Sequence, residues 1–235
     1  MAITLDRNKE MFADFQLVYN NLASNLAPGL SKYEISVYLT KALHTFVDTY
    51  APNFEIHEGV RKVLHELVTP ESINPEANVP ANITPMSSTS LFFKIPDNCI
   101  RIVHEGLSPD SNAPYCVRNS KLKITPVTYD TFDEVYENPY KFTEDRALRL
   151  DLTSGNTNTR YVEIVTKNPS YISKYNIRYV RKPKPIILED LTGTGRTIDN
   201  VSTETECELN PFYDKDIIRI AAELAANDYK PIRVK

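Results

Sequence analysis

The run Tyr175-Asn-Ile-Arg-Tyr-Val-Arg-Lys-Pro-Lys-Pro-Ile-Ile-Leu188 constrains this chain more than any other stretch, because it can be extended and cannot be helical. Pro183 and Pro185 lack amide hydrogens and clash with a preceding helical turn, while the β-branched and aromatic residues before them suit a pleated strand. A polar loop follows, and Cys207-Glu-Leu-Asn-Pro-Phe-Tyr213 then opens a helix. Asn210 is a good N-cap and Pro211 a good first helical residue, since that position needs no donor. The chain therefore leaves a sheet and returns to a helix of about Pro211 to Asp228. Ile217, Ile220, Ala221, Leu224 and Ala225 share one face of it and need a partner elsewhere in the sequence.

The N-terminal region supplies that partner. Met11, Phe12, Phe15, Val18, Tyr19 and Leu22 fall at helical spacing between about Asp6 and Ala23. Ser31 stands three residues before Glu34, a capping-box pattern, and Ile35, Tyr38, Leu39, Ala42, Leu43, Phe46, Val47 and Tyr50 continue the helical rhythm. Val60, Val63, Leu64, Leu67 and Val68 repeat it until Thr69-Pro70. From Pro70 to Ser90 the composition turns to Pro, Asn, Ser and Thr with no apolar period, as in a long surface loop or arm. Strand-like segments follow: Leu91–Ile95, Cys99–Val103, Leu122–Thr125, Arg146–Leu150, Tyr161–Val165 and Ile177–Val180. Several alternate apolar with charged, the pattern of half-buried antiparallel strands. A short helix near Tyr129 to Glu137, with Phe132, Val135 and Tyr136 apolar, interrupts them. Thr153 to Asn158 reads as a hairpin turn. The predicted class is α+β, a helical bundle of three N-terminal helices plus the C-terminal helix, with an inserted antiparallel β-rich domain. The boundaries are 1–69 for the N-terminal helices, 70–90 for the arm, 91–190 for the β-rich domain, 191–206 for a loop and 207–235 for the returning helix.

Composition excludes several kinds of function. Six Gly against 16 Pro leave little for a glycine-lined phosphate site, and a net charge of -4 gives no overall attraction to nucleic acid. Cys99, Cys116 and Cys207 are widely spaced, with no CxxC pair, which fits synthesis in a reducing cytoplasm. No basic leader or membrane-length apolar run is expected. His57-Glu58, His65-Glu66 and His104-Glu105 lack the second His of a zinc-protease helix, since Arg61, Thr69 and Ser108 stand there. Gly193-Thr-Gly195 reads as a turn, having Ile198 where a dinucleotide fingerprint needs its third Gly. Gly106-Leu-Ser108-Pro-Asp110 lacks the second Gly of a nucleophile elbow and also reads as a turn. Glu204, Glu206 and Glu208 alternate, as carboxylates for a divalent cation would, but a charged loop approaching the helix accounts for them better. No catalytic residue, metal ligand or cofactor site is predicted. The candidate interaction residues are Arg178, Arg181, Lys182 and Lys184, a basic cluster suited to a phosphate or to blunting an edge strand.

Two segments carry a family resemblance: Arg181-Lys-Pro-Lys-Pro-Ile-Ile-Leu188 leading into the Cys207-Glu-Leu-Asn-Pro helix, and Phe15-Gln-Leu-Val-Tyr-Asn-Asn21 followed by Ser31-Lys-Tyr-Glu-Ile35. There the chain resembles structural proteins of tailed bacteriophages, in particular the head–tail connector (ring or adaptor) proteins of crAss-like phages. The resemblance implies a non-enzymatic virion subunit without cofactor or membrane association, made in the host cytoplasm. It further implies a ring of identical copies, twelvefold, that joins the portal to further tail or ring proteins and surrounds double-stranded DNA. A tail-hub or capsid-decorating protein is the alternative within virions, and a hydrolase with its site on the sheet loops is the alternative outside them.

Overall fold

The computed structural model describes residues 6–22, 28–77, 83–111, 113, 122–153 and 159–229. It divides into two compact units: Val68–Arg181, and the flanking segments Met1–Leu67 with Lys182–Lys235. The helices are α1 Arg7–Leu22, α2 Lys32–Tyr50, α3 Glu58–Leu64, α4 Tyr129–Tyr136 and α5 Asp214–Asp228. The strands are β1 Val68–Ile73, β2 Ser90–Lys94, β3 Cys99–Pro109, β4 Lys123–Pro126, β5 Arg146–Thr153, β6 Arg160–Val165 and β7 Ile172–Arg181. The protein is therefore of mixed α+β class.

In the helical unit α5 packs against both α1 and α2. Its buried stripe is Ile217, Ile218, Ala221, Ala222, Ala225 and Ala226. This is wider than the stripe read from sequence, because one helix faces two neighbours, and it is shifted so that Ile220 and Leu224 are only half-buried. The alanines let neighbouring backbones approach closely. Met11, Phe15 and Tyr19 of α1 lie inside as expected, whereas Leu22 is 49% exposed. On α2 the capping box forms: the Glu34 amide donates to Ser31 Oγ at 3.3 Å and the Ser31 amide to Glu34 Oε2 at 2.8 Å. Arg7 joins the starts of α1 and α5. Its guanidinium donates to Asp214 Oδ2 at 2.9 Å and Oδ1 at 2.6 Å, and to the carbonyls of Cys207 and Leu209 at 2.7 and 2.6 Å. The fork matches a carboxylate with two N–H groups in one plane, the geometry for which Arg is suited.

Residues 183–188 run along α2. Two polar residues one turn apart hold them: Thr40 Oγ1 accepts from the Ile186 amide at 3.1 Å, and Ser36 Oγ accepts from the Leu188 amide at 3.0 Å. The periodicities agree, since four helical residues rise about 6 Å and two extended residues span about 6.6 Å. On its other side Ile187 exchanges both backbone bonds with Thr205, at 3.0 and 3.1 Å. Replacing Thr40 by Val leaves the Ile186 amide buried without its acceptor. Thr40→Val is therefore expected to cost about 1–3 kcal/mol in urea denaturation, and Lys41→Ala, on the exposed side, close to nothing.

The β unit holds two sheets, ordered β1-β7-β3 and β2-β6-β5-β4. A core containing Phe93, Leu107, Ala147, Val162, Ile164, Tyr175 and Ile177 lies between them. On the far face of the four-stranded sheet, Leu148, Leu150 and Val165 pack with Phe132 of α4 and with Phe142. The layers are thus sheet, sheet, helix. Several features differ from the sequence reading. The third helix stops at Leu64 and passes through a 3-10 turn, His65–Leu67, so that His57 only precedes the helix and His65 follows it. Val68–Ile73, placed largely in the arm, is an edge strand paired with β7, and an edge tolerates Pro70 because its outer amide needs no partner. Farther along the same segment the Met86 amide donates to Glu163 Oε1 at 2.8 Å. Residues 106–109 continue β3, register shifts absorbing the irregularity, where a turn was predicted. β4 pairs β5 in parallel, not antiparallel, because α4 is the crossover that a parallel pair requires. The predicted hairpin turn lies outside the described residues, although β5 and β6 on either side of it pair antiparallel.

Candidate interaction surfaces

The four predicted interaction residues are divided between the units, Arg178 and Arg181 in one and Lys182 and Lys184 in the other. Arg178 is exposed, opposite Pro70 on one side and His104 on the other. β7 is thus the centre of its sheet and not an edge, since β1 and β3 take both of its backbone edges. Charge at Arg178 therefore protects no open edge. Arg181 lies opposite Cys99. Lys182 Nζ is 2.8 Å from Asp199 Oδ2, and the Lys184 amide donates to Glu208 Oε2 at 2.9 Å.

Asp199 and Asn200 form a tight turn with φ of 49° and 64°, closed by reciprocal bonds of 2.9 Å between Ile198 and Val201. Asp and Asn tolerate this left-handed conformation better than other side chains with a Cβ. His44 Nε2 lies 3.4 Å from Asp199 Oδ2, but that carboxylate is engaged by Lys182. Burial, then Lys182, push the His44 pKa down, outweighing Asp199, Asp48 and the bond to the Pro183 backbone. A histidine held neutral in the folded state binds its proton more readily when unfolded. Its contribution is therefore complete above the unfolded value of 6.5 and is lost as pH falls from there through the folded value. Stability of the helical unit should decline on acidification below about pH 6.5, and His44→Gln should flatten that decline in urea titrations.

The alternating carboxylates do not converge on a shared ion. Glu204 Oε1 accepts from Asn8 Nδ2 at 2.9 Å, and Glu208 receives the Lys184 amide. Among the described residues no group of His, Cys, Asp and Glu could hold a metal ion, and no helix is long and apolar enough to cross a membrane. Cys99 and Cys207 are buried free thiols, and burial pushes Cys207 up to about 11, far from the thiolate needed for reaction. Gly195 has φ 68° at the end of a 3-10 turn, which accounts for a glycine without a ligand.

Two charged surfaces escaped the sequence reading. Asp130, Asp133, Glu134 and Glu137 are exposed and recur at i, i+3, i+4 and i+7, so they share the solvent side of α4 and its C-cap opposite Phe132. From Tyr129 to Asp145 there are six carboxylates and one lysine, although the whole chain carries only -4. The outer side of the β1-β7-β3 sheet is the reverse. Lys174, Arg178 and His104 are exposed there, and the outward residues from Lys174 to Arg178, with those paired to them, include no carboxylate. Helical spacing of the carboxylates was the signal that could have found the first surface. The second needed the register.

Comparison with known proteins places these surfaces in a family. The chain belongs to the phage tail ring protein 3/4 family, whose profile matches residues 7–231. It is 30% identical over 233 residues to ring protein 4/5 of Bacteroides phage crAss001, covering 94% of this chain and 92% of that protein. It is 31% identical over 227 residues to ring protein 3 of the same phage, covering 93% and 94%. The homologues imply a structural ring component of the phage particle.

Proposed function

We propose that this chain is a non-enzymatic head–tail connector or adaptor of a crAss-like phage, whose copies form a twelvefold ring that joins the portal to the tail and surrounds the passing double-stranded DNA. The observation that carries this reading is the ring-protein match over nearly the whole chain. The body is held by ion pairs between distant segments, such as Arg7 with Asp214, as a rigid ring subunit needs. In this reading the β unit is an insertion into the helical unit, and Arg178, Arg181, Lys182 and Lys184 serve protein contacts. DNA is conducted and not gripped: 31 Asp and Glu outnumber 27 Lys and Arg, and each neutralised phosphate would add a brake to sliding. Electron microscopy of the particle along the tail axis tests the proposal. About a dozen copies in one ring below the portal are expected. Copies spread over the capsid shell, or a central tail hub, would replace the reading by one of those virion roles.

A further inference from the structure

We propose that the two outer faces of the β unit are the two sides of a head-to-tail contact between copies of this chain: the acidic face of α4 on one copy meets the basic outer face of the β1-β7-β3 sheet on the next. This rests on the ring reading above and names the surfaces that build the ring. Both faces belong to one compact unit, and the layer order sets them on opposite sides of it. The core of Phe93, Val162 and Tyr175 lies between the sheets, and α4 covers the far face of the four-stranded sheet through Phe132, Leu148 and Val165. A closed ring of identical subunits requires two different surfaces, one on each side of each copy, that are complementary to one another. Opposite charge on opposite faces of one unit meets that requirement, and also sets the direction in which copies dock.

Three observations sharpen the match. Asp130, Asp133, Glu134 and Glu137 repel one another at helical spacings of three and four, which works against α4 in isolation and is relieved by a cationic neighbour. Among the described residues, Glu134 is the one of the four that is offset, by Lys141 Nζ at 2.6 Å. Beside this face Tyr140 is 87% exposed and offers an aromatic anchor within a charged rim. Across the contact, Pro70 and Arg178 stand side by side in the sheet, a flat apolar ring next to a guanidinium, on which a tyrosine stacks well.

Zero-length carbodiimide cross-linking of purified particles tests the contact directly. The reagent joins an amine to a carboxylate only when they touch. Two sheets and a helix, layers about 10 Å apart, separate Lys174 from α4 within a copy, so a link between them reports two copies. The expected product joins Lys174 to the peptide carrying Asp133, Glu134 and Glu137. Links between copies that leave Lys174 and α4 out would overturn the faces and leave the ring standing, whereas no link between copies would remove both. A charge swap gives the second readout: D133K/E137K alone and K174E/R178E alone lose rings in electron micrographs, and the four together recover them. Recovery failing while circular dichroism stays native would refute the pairing. If K174E/R178E instead keeps its rings and loses at least tenfold in duplex-DNA affinity by fluorescence anisotropy, the sheet face serves nucleic acid and the proposal falls.

Discussion

Ala221→Asp is expected to abolish folding of the helical unit, whereas Leu224→Asp leaves it folded and weakened. Ala221 is 0% exposed on the side of α5 that meets α1 and α2, among apolar neighbours such as Ile217, Ile218 and Ala225 of the same buried stripe. A buried unpaired charge costs several kcal/mol, and overpacking adds about 1–3 kcal/mol to it. Domains are stable by only about 5–15 kcal/mol, so the sum reaches the whole margin. Leu224 is half-buried, and an aspartate there turns its head to water and forfeits about 1–2 kcal/mol of apolar contact. Helical circular dichroism in a urea titration separates the two outcomes. A Leu224→Asp variant that loses its helix signal while Ala221→Asp keeps it would overturn the burial of Ala221 and move the packed face of α5 to the Leu224 side.

That contrast marks where the sequence was legible. Signals that depend on residues a few positions apart were readable: the Ser31–Glu34 box formed, Asn210 Oδ1 accepts from the Phe212 amide at 3.0 Å, and the apolar rhythm of α2 from Ile35 to Val47 is buried. The mixed class followed from the change of period between these helices and the strands. Pairing was not readable, because it depends on what lies alongside. Val68–Ile73 has the composition of a loop and becomes a strand through hydrogen bonds to β7, more than a hundred residues later in the chain. Direction in a sheet leaves no mark on alternation, so the parallel β4–β5 pair was hidden, although the short helix between the two strands was in view.

The same limit governed the surfaces. Arg178, Arg181, Lys182 and Lys184 are neighbours in sequence and were grouped for that reason, yet the boundary between the units falls among them. Lys174, Arg178 and His104 share a face only through the register of β3 with β7. Ser36 and Thr40 stood in the middle of an otherwise apolar helix face. Polar residues four apart in such a place were the one local sign of a strand pinned alongside.

Arg149→Met should destabilise the β unit by about 3 kcal/mol, and the double variant Arg149→Met/Glu105→Leu by clearly less. The two residues join the facing sheets. Arg149 Nη1 on β5 donates to Glu105 Oε2 on β3 at 3.0 Å, and the Tyr175 hydroxyl on β7 donates to the same oxygen at 2.6 Å. Burial works against the charge on Arg149, and Glu105, then Asp151, more than restore it, so its pKa is raised. Burial, with Glu105 next, also raises Tyr175, which keeps its hydroxyl a donor throughout the physiological range. Removing Arg149 alone leaves the Glu105 carboxylate, 16% exposed, with one neutral donor and no countercharge. Removing both charges leaves apolar side chains beside Tyr175 and Leu107, where water has little access and methylenes pack well. Asp151 is 66% exposed and loses Arg149 at little cost, since water solvates it. A double-mutant cycle by urea denaturation measures the coupling. Additive losses would mean that the pair contributes no more than its separate packing, and that the sheets are held by the apolar core alone.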